Sequence, residues 1–210
     1  MKEPGKFWNK IANQYDRQAN KTYQKAYSAT IQMSKKYLKP DFLGLDFACG
    51  TGITTLELSK NIKKMVAIDI SEKMINIARQ KSFAEQVANI EFQITDLFGI
   101  QGPVCQFDVI FAFNILHFFD NPDKILGEIY QKLSPNGLFL STTDCFGESK
   151  TLTTIINSLL SKAGILPTYK SYTRKEMEII VKSNGFQILE TQNLHNHPPN
   201  YFISAQKREK

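Results

Sequence analysis

The sequence predicts an α/β fold, a doubly wound sheet of seven strands ending in an antiparallel hairpin. Three observations predict it. Short apolar runs alternate with stretches whose apolar residues recur at helical spacing. A glycine-rich turn follows the first run, and the last two runs are separated by too few residues for a crossover helix. Alternating strands and helices build a parallel sheet covered on both faces, with its ligand crevice outside the carboxyl ends of the central strands.

The first run, 42–47, reads as a buried strand feeding a helix over 53–62. Met65-Val66-Ala67-Ile68-Asp69 is the second strand, and Ser71 caps a helix whose apolar face holds Met74, Ile75 and Ala78. The third strand is 90–94. Phe107-Asp108-Val109-Ile110-Phe111-Ala112-Phe113, dense in β-branched and aromatic residues, is the fourth and suits a central position. Asn121-Pro122 opens the next helix, and Pro135-Asn136-Gly137 turns into a fifth strand over 138–142. A further helix over 149–163 looks like an insertion, and Thr173 opens another that ends at Asn184-Gly185. Strands 186–191 and 201–206, joined near Pro198-Pro199, should pair antiparallel. Ahead of the sheet, Phe7-Trp8, Ile11 and Tyr15, then Tyr23, Tyr27 and Ile31, mark helical segments positioned to close over the crevice.

At 210 residues and 42% hydrophobic, the chain suits a single domain over 1–210. Its expected parts are a helical cap over 1–40, a ligand-binding core over 41–148, a helical lid over 149–172, and a C-terminal helix and hairpin over 173–210. No apolar run approaches the roughly 18 residues of a membrane helix, and Met1-Lys2-Glu3-Pro4-Gly5-Lys6 is no signal peptide, so a cytoplasmic chain without a membrane partner is expected. Cys49, Cys105 and Cys145 are widely spaced with no C-x-x-C pair, which argues against a disulfide framework and a zinc site; no metal is expected. The net charge of +6 is scattered, as at Lys60, Lys63 and Lys64, and no basic stripe is interleaved with stacking aromatics. That argues against a nucleic-acid partner. The oligomeric state, monomer or homodimer, stays open.

The glycines of Asp46-Phe47-Ala48-Cys49-Gly50-Thr51-Gly52 permit a tight turn and close backbone approach, and the following helix offers unpaired N–H groups. A G-x-G alone also serves dinucleotides. Here Thr55 replaces the third glycine of G-x-G-x-x-G, and Asp46 would repel a pyrophosphate while welcoming a cation.

The segment Leu45 through Gly52 closely resembles motif I of class I S-adenosylmethionine-dependent methyltransferases. The resemblance continues through Val66-Ala67-Ile68-Asp69-Ile70-Ser71-Glu72-Lys73-Met74, Ile94-Thr95-Asp96-Leu97, the run from Phe107 to His117, and Leu133-Ser134-Pro135-Asn136-Gly137-Leu138. It implies a Rossmann-like fold and S-adenosylmethionine as cofactor, with S-adenosylhomocysteine as product. By the same resemblance Gly50 and Gly52 approach the methionine part and Asp46 holds its ammonium. Asp69 clamps the ribose hydroxyls, Ile70 and Met74 pack on adenine, and Asp96 accepts from the adenine amino group beside Thr95 and Leu97. Asn114 and Ile115 border the methionine chain, and Tyr15 reaches its carboxylate. Ala48 departs from the family's usual glycine. Helix capping competes for Asp69 and Asp96, and plain packing for Tyr15.

The catalytic half is less legible. His117, after the fourth strand, would sit near methyl transfer as a base or serve as a structural histidine; His195 and His197 lie in the last hairpin turn, which opens on the ligand face if strand six runs parallel to strand one. Phe118, Phe119 and Phe146, with Leu152, Ile155, Leu159 and Leu160, line a pocket for a small apolar or aromatic metabolite or belong to the core. The expected activity is methyl transfer to a small-molecule acceptor. The alternatives are an RNA or protein acceptor, or a non-catalytic nucleotide-binding scaffold.

Overall fold

The computed structural model describes residues 4–100, 107–148, 161, 166–196 and 198–208. The sheet has seven strands: β1 (Leu43–Phe47), β2 (Lys64–Asp69), β3 (Ile90–Ile94), β4 (Phe107–Phe113), β5 (Leu133–Asp144), β6 (Phe186–Asn196) and β7 (Pro199–Lys207). Their order is β3-β2-β1-β4-β5-β7-β6, with β7 antiparallel to both its neighbours and the other pairs parallel. Strand β6 therefore runs parallel to β1, and the β6–β7 turn opens on the same edge as the glycine-rich turn.

β4 takes the central position that its composition predicts, and its side chains alternate between two cores. Ile110 and Ala112 join Leu45, Leu126, Phe139 and Met177 on one face, while Val109 and Phe111 join Met65, Leu140 and Phe202 on the other. Phe111 and Phe139 are fully buried, each burial contributing about 1.5–3 kcal/mol.

The helices cover both faces. After β1 comes α2 (Thr55–Ser59), then α3 (Glu72–Ala84), α4 (Pro122–Lys132) and α5 (Arg174–Ser183). Ser71 caps α3 through Met74 N, Asn121 caps α4 with Pro122 in its first turn, and Thr173 with Glu176 forms a capping box on α5. α2 is shorter than the 53–62 its sequence suggests. Asn61 N and Ile62 N bond to Leu58 O and Ser59 O, so the last turn tightens to i→i−3 bonds. β5 starts earlier than expected. Its Pro135-Asn136-Gly137 turn survives as an irregularity inside the strand: Phe107 pairs with Leu133 but Val109 with Leu138, and Asn136 has φ +60°.

The N-terminal segments form one helix, α1 (Pro4–Lys35). Its buried stripe is Ala12, Ala19, Ala26 and Met33, seven residues apart and so close to two turns. Alanines let the helix lie close to the sheet edge, and at 32 residues it is about 48 Å long, enough to cross the edge completely. The helix expected over 149–163 lies outside the described residues except for Ser161, as do Cys105 and His197. Among the described residues no helix is long and apolar enough to cross a membrane.

Candidate functional site

The crevice floor is the turn after β1. Ala48, Gly50 and Gly52 all adopt positive φ, +61°, +54° and +79°, so the departure at Ala48 places a non-glycine residue in the left-handed region. The two glycines serve different ends. A Cβ on Gly50 would meet nothing within 4 Å, leaving its backbone facing open space, whereas one on Gly52 would stand 2.6 Å from Leu56 Cδ1 and 3.2 Å from Ala78 Cβ. Gly50 keeps a cradle open; Gly52 lets α2 and α3 pack.

Two carboxylates support this turn. Asp46, 1% exposed, accepts a 2.6 Å bond from Thr55 Oγ1, and burial raises its carboxyl to about 7 against that bond, with the nearby Asp69 charge raising it further. Asp69 Oδ2 accepts from Gly50 N at 3.0 Å and Oδ1 from Ser71 N at 2.8 Å; burial raises this carboxyl too, and the backbone N–H groups pull it back. The carboxylate retains acceptor capacity for a ligand.

Beyond β4, Asn114 also has positive φ, +54°. Its Oδ1 accepts from Thr142 Oγ1 at 3.1 Å and from Asn200 Nδ2 at 2.8 Å, which fixes the amide against β5 and β7.

α1 roofs the crevice. Asn9 Oδ1 accepts from Ser71 Oγ at 2.8 Å and Lys73 N at 3.1 Å, tying the helix to the start of α3. Asp16 takes the Thr51 hydroxyl and an ion pair from Lys81, whose ammonium also reaches Thr51 O at 3.0 Å. Tyr15 and Tyr27 are bonded to one another at 3.2 Å, the Tyr23 ring packs edge-on against His195, and Tyr37 donates to Glu190 Oε2 at 2.6 Å. A cavity of about 40 Å³ remains, lined by Tyr15, Tyr27, Asp46, Ala48, Gly50 and Asn114 among others.

The structure thus brings Tyr15, Asp46, Ala48, Gly50 and Asn114 together, with Asp69 bonded beneath Gly50. At the β2–β3 end Ile70 is 41% exposed while Met74 is buried, and Thr95 N bonds to Asp69 O at 3.1 Å. Asp96 Oδ1 caps the next turn, accepting from Phe98 N and Gly99 N. Leu97 is fully buried in the core, and Ile115 is half-buried against the same core cluster. His117 is 4% exposed between Phe118 and Phe146, its Nδ1 has no hydrogen-bond partner among the described residues, and burial lowers it to about 3. That imidazole is neutral at physiological pH and a poor base. His195 Nδ1 lies 3.0 Å from Pro198 O, which only accepts, so this nitrogen carries the proton.

Sequence reasoning missed Tyr27, which lines the cavity, and Asn200, which anchors Asn114. Asn200 carried no signal, because its place beside Asn114 comes from pairing across β7. Among the described residues no group of three His, Cys, Asp or Glu side chains is placed to hold a metal ion.

Residues 45–141 match the profile of the methyltransferase domain family. Together with the relatives and solved structures below, this match supports a class I S-adenosylmethionine-dependent methyltransferase. The chain is 30% identical over 141 residues to the malonyl-[acyl-carrier protein] O-methyltransferase of Bacillus cereus, covering 66% of this chain and 51% of that protein. It is 26% identical over 160 residues to a ubiquinone biosynthesis O-methyltransferase of Coxiella burnetii, covering 73% and 67%. The chain thus spans only about half the length of the Bacillus relative. Its fold matches that of the N-methyltransferase NodS of Bradyrhizobium japonicum in complex with S-adenosylhomocysteine, with a TM-score of 0.68 at 14% identity over 89% of this chain and 87% of that one. It also matches a methyltransferase of Methanosarcina mazei, with a TM-score of 0.69 at 18% identity over 85% and 98%.

The residues present fit the family's cofactor. The open space at Gly50 admits close approach by a ligand, and among the described residues neither Asp46 nor Asp69 is paired with a lysine or arginine.

Proposed function

We propose that this methyltransferase transfers a methyl group in line from S-adenosylmethionine to a small-molecule acceptor. One observation carries the reading: Asp46 and Asp69, both buried and neither paired with a lysine or arginine among the described residues, flank the open backbone of Gly50. Buried charge is costly unless it is paired, and an ammonium group with two ribose hydroxyls matches what these carboxylates lack. When bound, the cofactor supplies a methyl group already made electrophilic by its sulfonium. The chain's own work is then to hold, align and exclude water. Asp46 would hold the ammonium, Asp69 the ribose, and Ile70 and Met74 the adenine, with Asp96, Thr95 and Leu97 at its amino edge. Asn114 and Ile115 would flank the methionine chain, and Tyr15 would reach its carboxylate.

The roof of α1 favours a small acceptor over RNA or protein, since the helix lies across the edge where a large substrate would dock. The small acceptors implied by the names of relatives such as the ubiquinone biosynthesis enzyme support the same reading. Calorimetric titration with S-adenosylhomocysteine and, separately, with NAD tests it. Binding of the former alone is expected; binding of NAD alone, or of neither, would overturn the assignment.

A further inference from the structure

Strand β5 ends at Asp144, across β1 and β4 from Asp69. In the β5–β7 register Asp144 stands opposite Asn200, which is 3% exposed. Asn200 Nδ2 donates at 2.7 Å to Asp144 Oδ1 and at 2.8 Å to Asn114 Oδ1. Asn114 lines the crevice cavity with Tyr15 and Tyr27, so a single amide nitrogen separates the Asp144 carboxylate from the cavity wall.

The surroundings of Asp144 are aromatic and amidic. Tyr15, Tyr23 and Tyr27 of α1 feel its charge, as does Cys145 beside it, and His195 of β6 favours its anion. Among the described residues no lysine or arginine acts on it, and burial raises its carboxyl above the ordinary range. The crevice therefore has, on each side, a desolvated carboxylate with no lysine or arginine partner among the described residues. Asp46 is suited to the cofactor ammonium; Asp144 lies on the other side, toward the hairpin turn.

We propose that Asp144 binds the methyl acceptor and takes its proton, and that the acceptor is protic, an amine or a phenol rather than a carboxylate. The inference rests on the methyl-transfer reading above. An ionised carboxylate only accepts hydrogen bonds, which suits an N–H or O–H nucleophile, while an anionic acceptor would be repelled by Asp144 and Asp46 together. As the nucleophile's lone pair forms the new N–C or O–C bond, the S–C bond breaks and its electron pair stays on sulfur. The proton of the attacking group passes to Asp144, which returns it to solvent after product release. Asn200 holds Asp144 Oδ1 in place and leaves Oδ2 for the acceptor.

The test compares wild type with Asp144→Asn, which keeps an oxygen for Asn200 to bond and removes the base. S-adenosylhomocysteine affinity is measured by calorimetry. Transfer from methyl-labelled cofactor is measured with benzylamine, other primary amines, catechol, other phenols and simple carboxylic acids, across pH 5–9. The 13C signal of the Asp144 carboxyl is followed as pH is changed and as benzylamine or catechol is added. Labelling of amines or of phenols is expected, the panel showing which. Asp144→Asn should bind S-adenosylhomocysteine within twofold of wild type, lose about 100-fold or more in kcat/KM and lose the acidic limb of the pH profile, with partial recovery in Asp144→Glu. The wild-type carboxyl signal should move on addition of the accepted class. Labelling of carboxylic acids alone, no transfer to any protic acceptor by a chain that binds S-adenosylhomocysteine, or unchanged kcat/KM in Asp144→Asn would each overturn the proposal. Failure of wild type to bind S-adenosylhomocysteine would sink the methyl-transfer reading itself and the proposal with it.

Discussion

The backbone N–H of Gly50 donates to Asp69 Oδ2 at 3.0 Å, so the turn that opens β1 onto the crevice is fastened to the end of β2. A carboxylate that the resemblance assigns to the ribose hydroxyls therefore also shapes the cradle. Because its other oxygen accepts from Ser71 N at the start of α3, one side chain sets the relative position of two βα connections.

This double duty alters what Asp69→Ala should do. Loss of the ribose partner should weaken S-adenosylhomocysteine binding by about 10- to 100-fold. The two backbone N–H groups would also lose their acceptor, so the variant should be less stable by about 2 kcal/mol. Calorimetry and urea unfolding measure the two effects, and wild-type affinity in a folded Asp69→Ala would exclude the clamp.

Ala48 stores strain that a glycine would release. At φ +61° its Cβ crowds the following carbonyl at a cost of roughly 1–2 kcal/mol, partly offset by the greater freedom glycine has when unfolded. Ala48→Gly should therefore stabilise the protein by about 0.5–1 kcal/mol in urea unfolding. A less stable variant would mean that the Ala48 methyl packs more than it strains.

What the sequence made legible follows from the kind of signal each part carries. The strand-turn-helix units were readable because short apolar runs end in glycine or in caps such as Ser71 and Thr173, whose chemistry is local. α1 was not readable as one helix, since its buried face is built from Ala12, Ala19 and Ala26, too weakly apolar to join the aromatic clusters around them. The burial of Leu97 was not readable either, because a position beside Asp96 does not say which way a side chain points. Asn200 and Asp144 depended on antiparallel register, which no local pattern encodes.

Asp46 couples both stability and affinity to pH. Its folded pKa of about 7 lies above the ordinary carboxylate value because of burial, so between roughly pH 4 and 7 the native state holds a proton that the unfolded chain has lost. Its contribution to stability is thus fully present below pH 4 and is lost as pH rises through 7, a change on the order of a few kcal/mol. Affinity runs the other way, because only the anion pairs with an ammonium. S-adenosylhomocysteine binding should tighten from pH 6 to 8, with Thr55 and Asp69 as the neighbours that tune the midpoint. Asp46→Asn should bind weakly at both pH values and be more stable than wild type at pH 8. An equally steep pH dependence in that variant would assign the titration to another group.

The last prediction concerns how much of α1 is lid. Residues up to Asp16 reach the crevice and its rim through Asn9, Tyr15 and Asp16, whereas Met33 is buried in the core with Val109 and Phe111. Removing everything before Phe42 would strip that core and should unfold the sheet. Removing residues 1–19 spares Ala26 and Met33 and should leave a cooperatively folding chain. That shortened chain loses the latch of Asp16 on Thr51 and Lys81, so S-adenosylhomocysteine should dissociate at least tenfold faster in stopped-flow displacement, with turnover falling as water enters the crevice. The cavity of about 40 Å³ beneath the roof is far smaller than the roughly 300 Å³ or more of typical ligand sites, which suits a roof that opens when ligands enter and leave. Unchanged dissociation and turnover in the 1–19 deletion would show that the first half of α1 is cover without function.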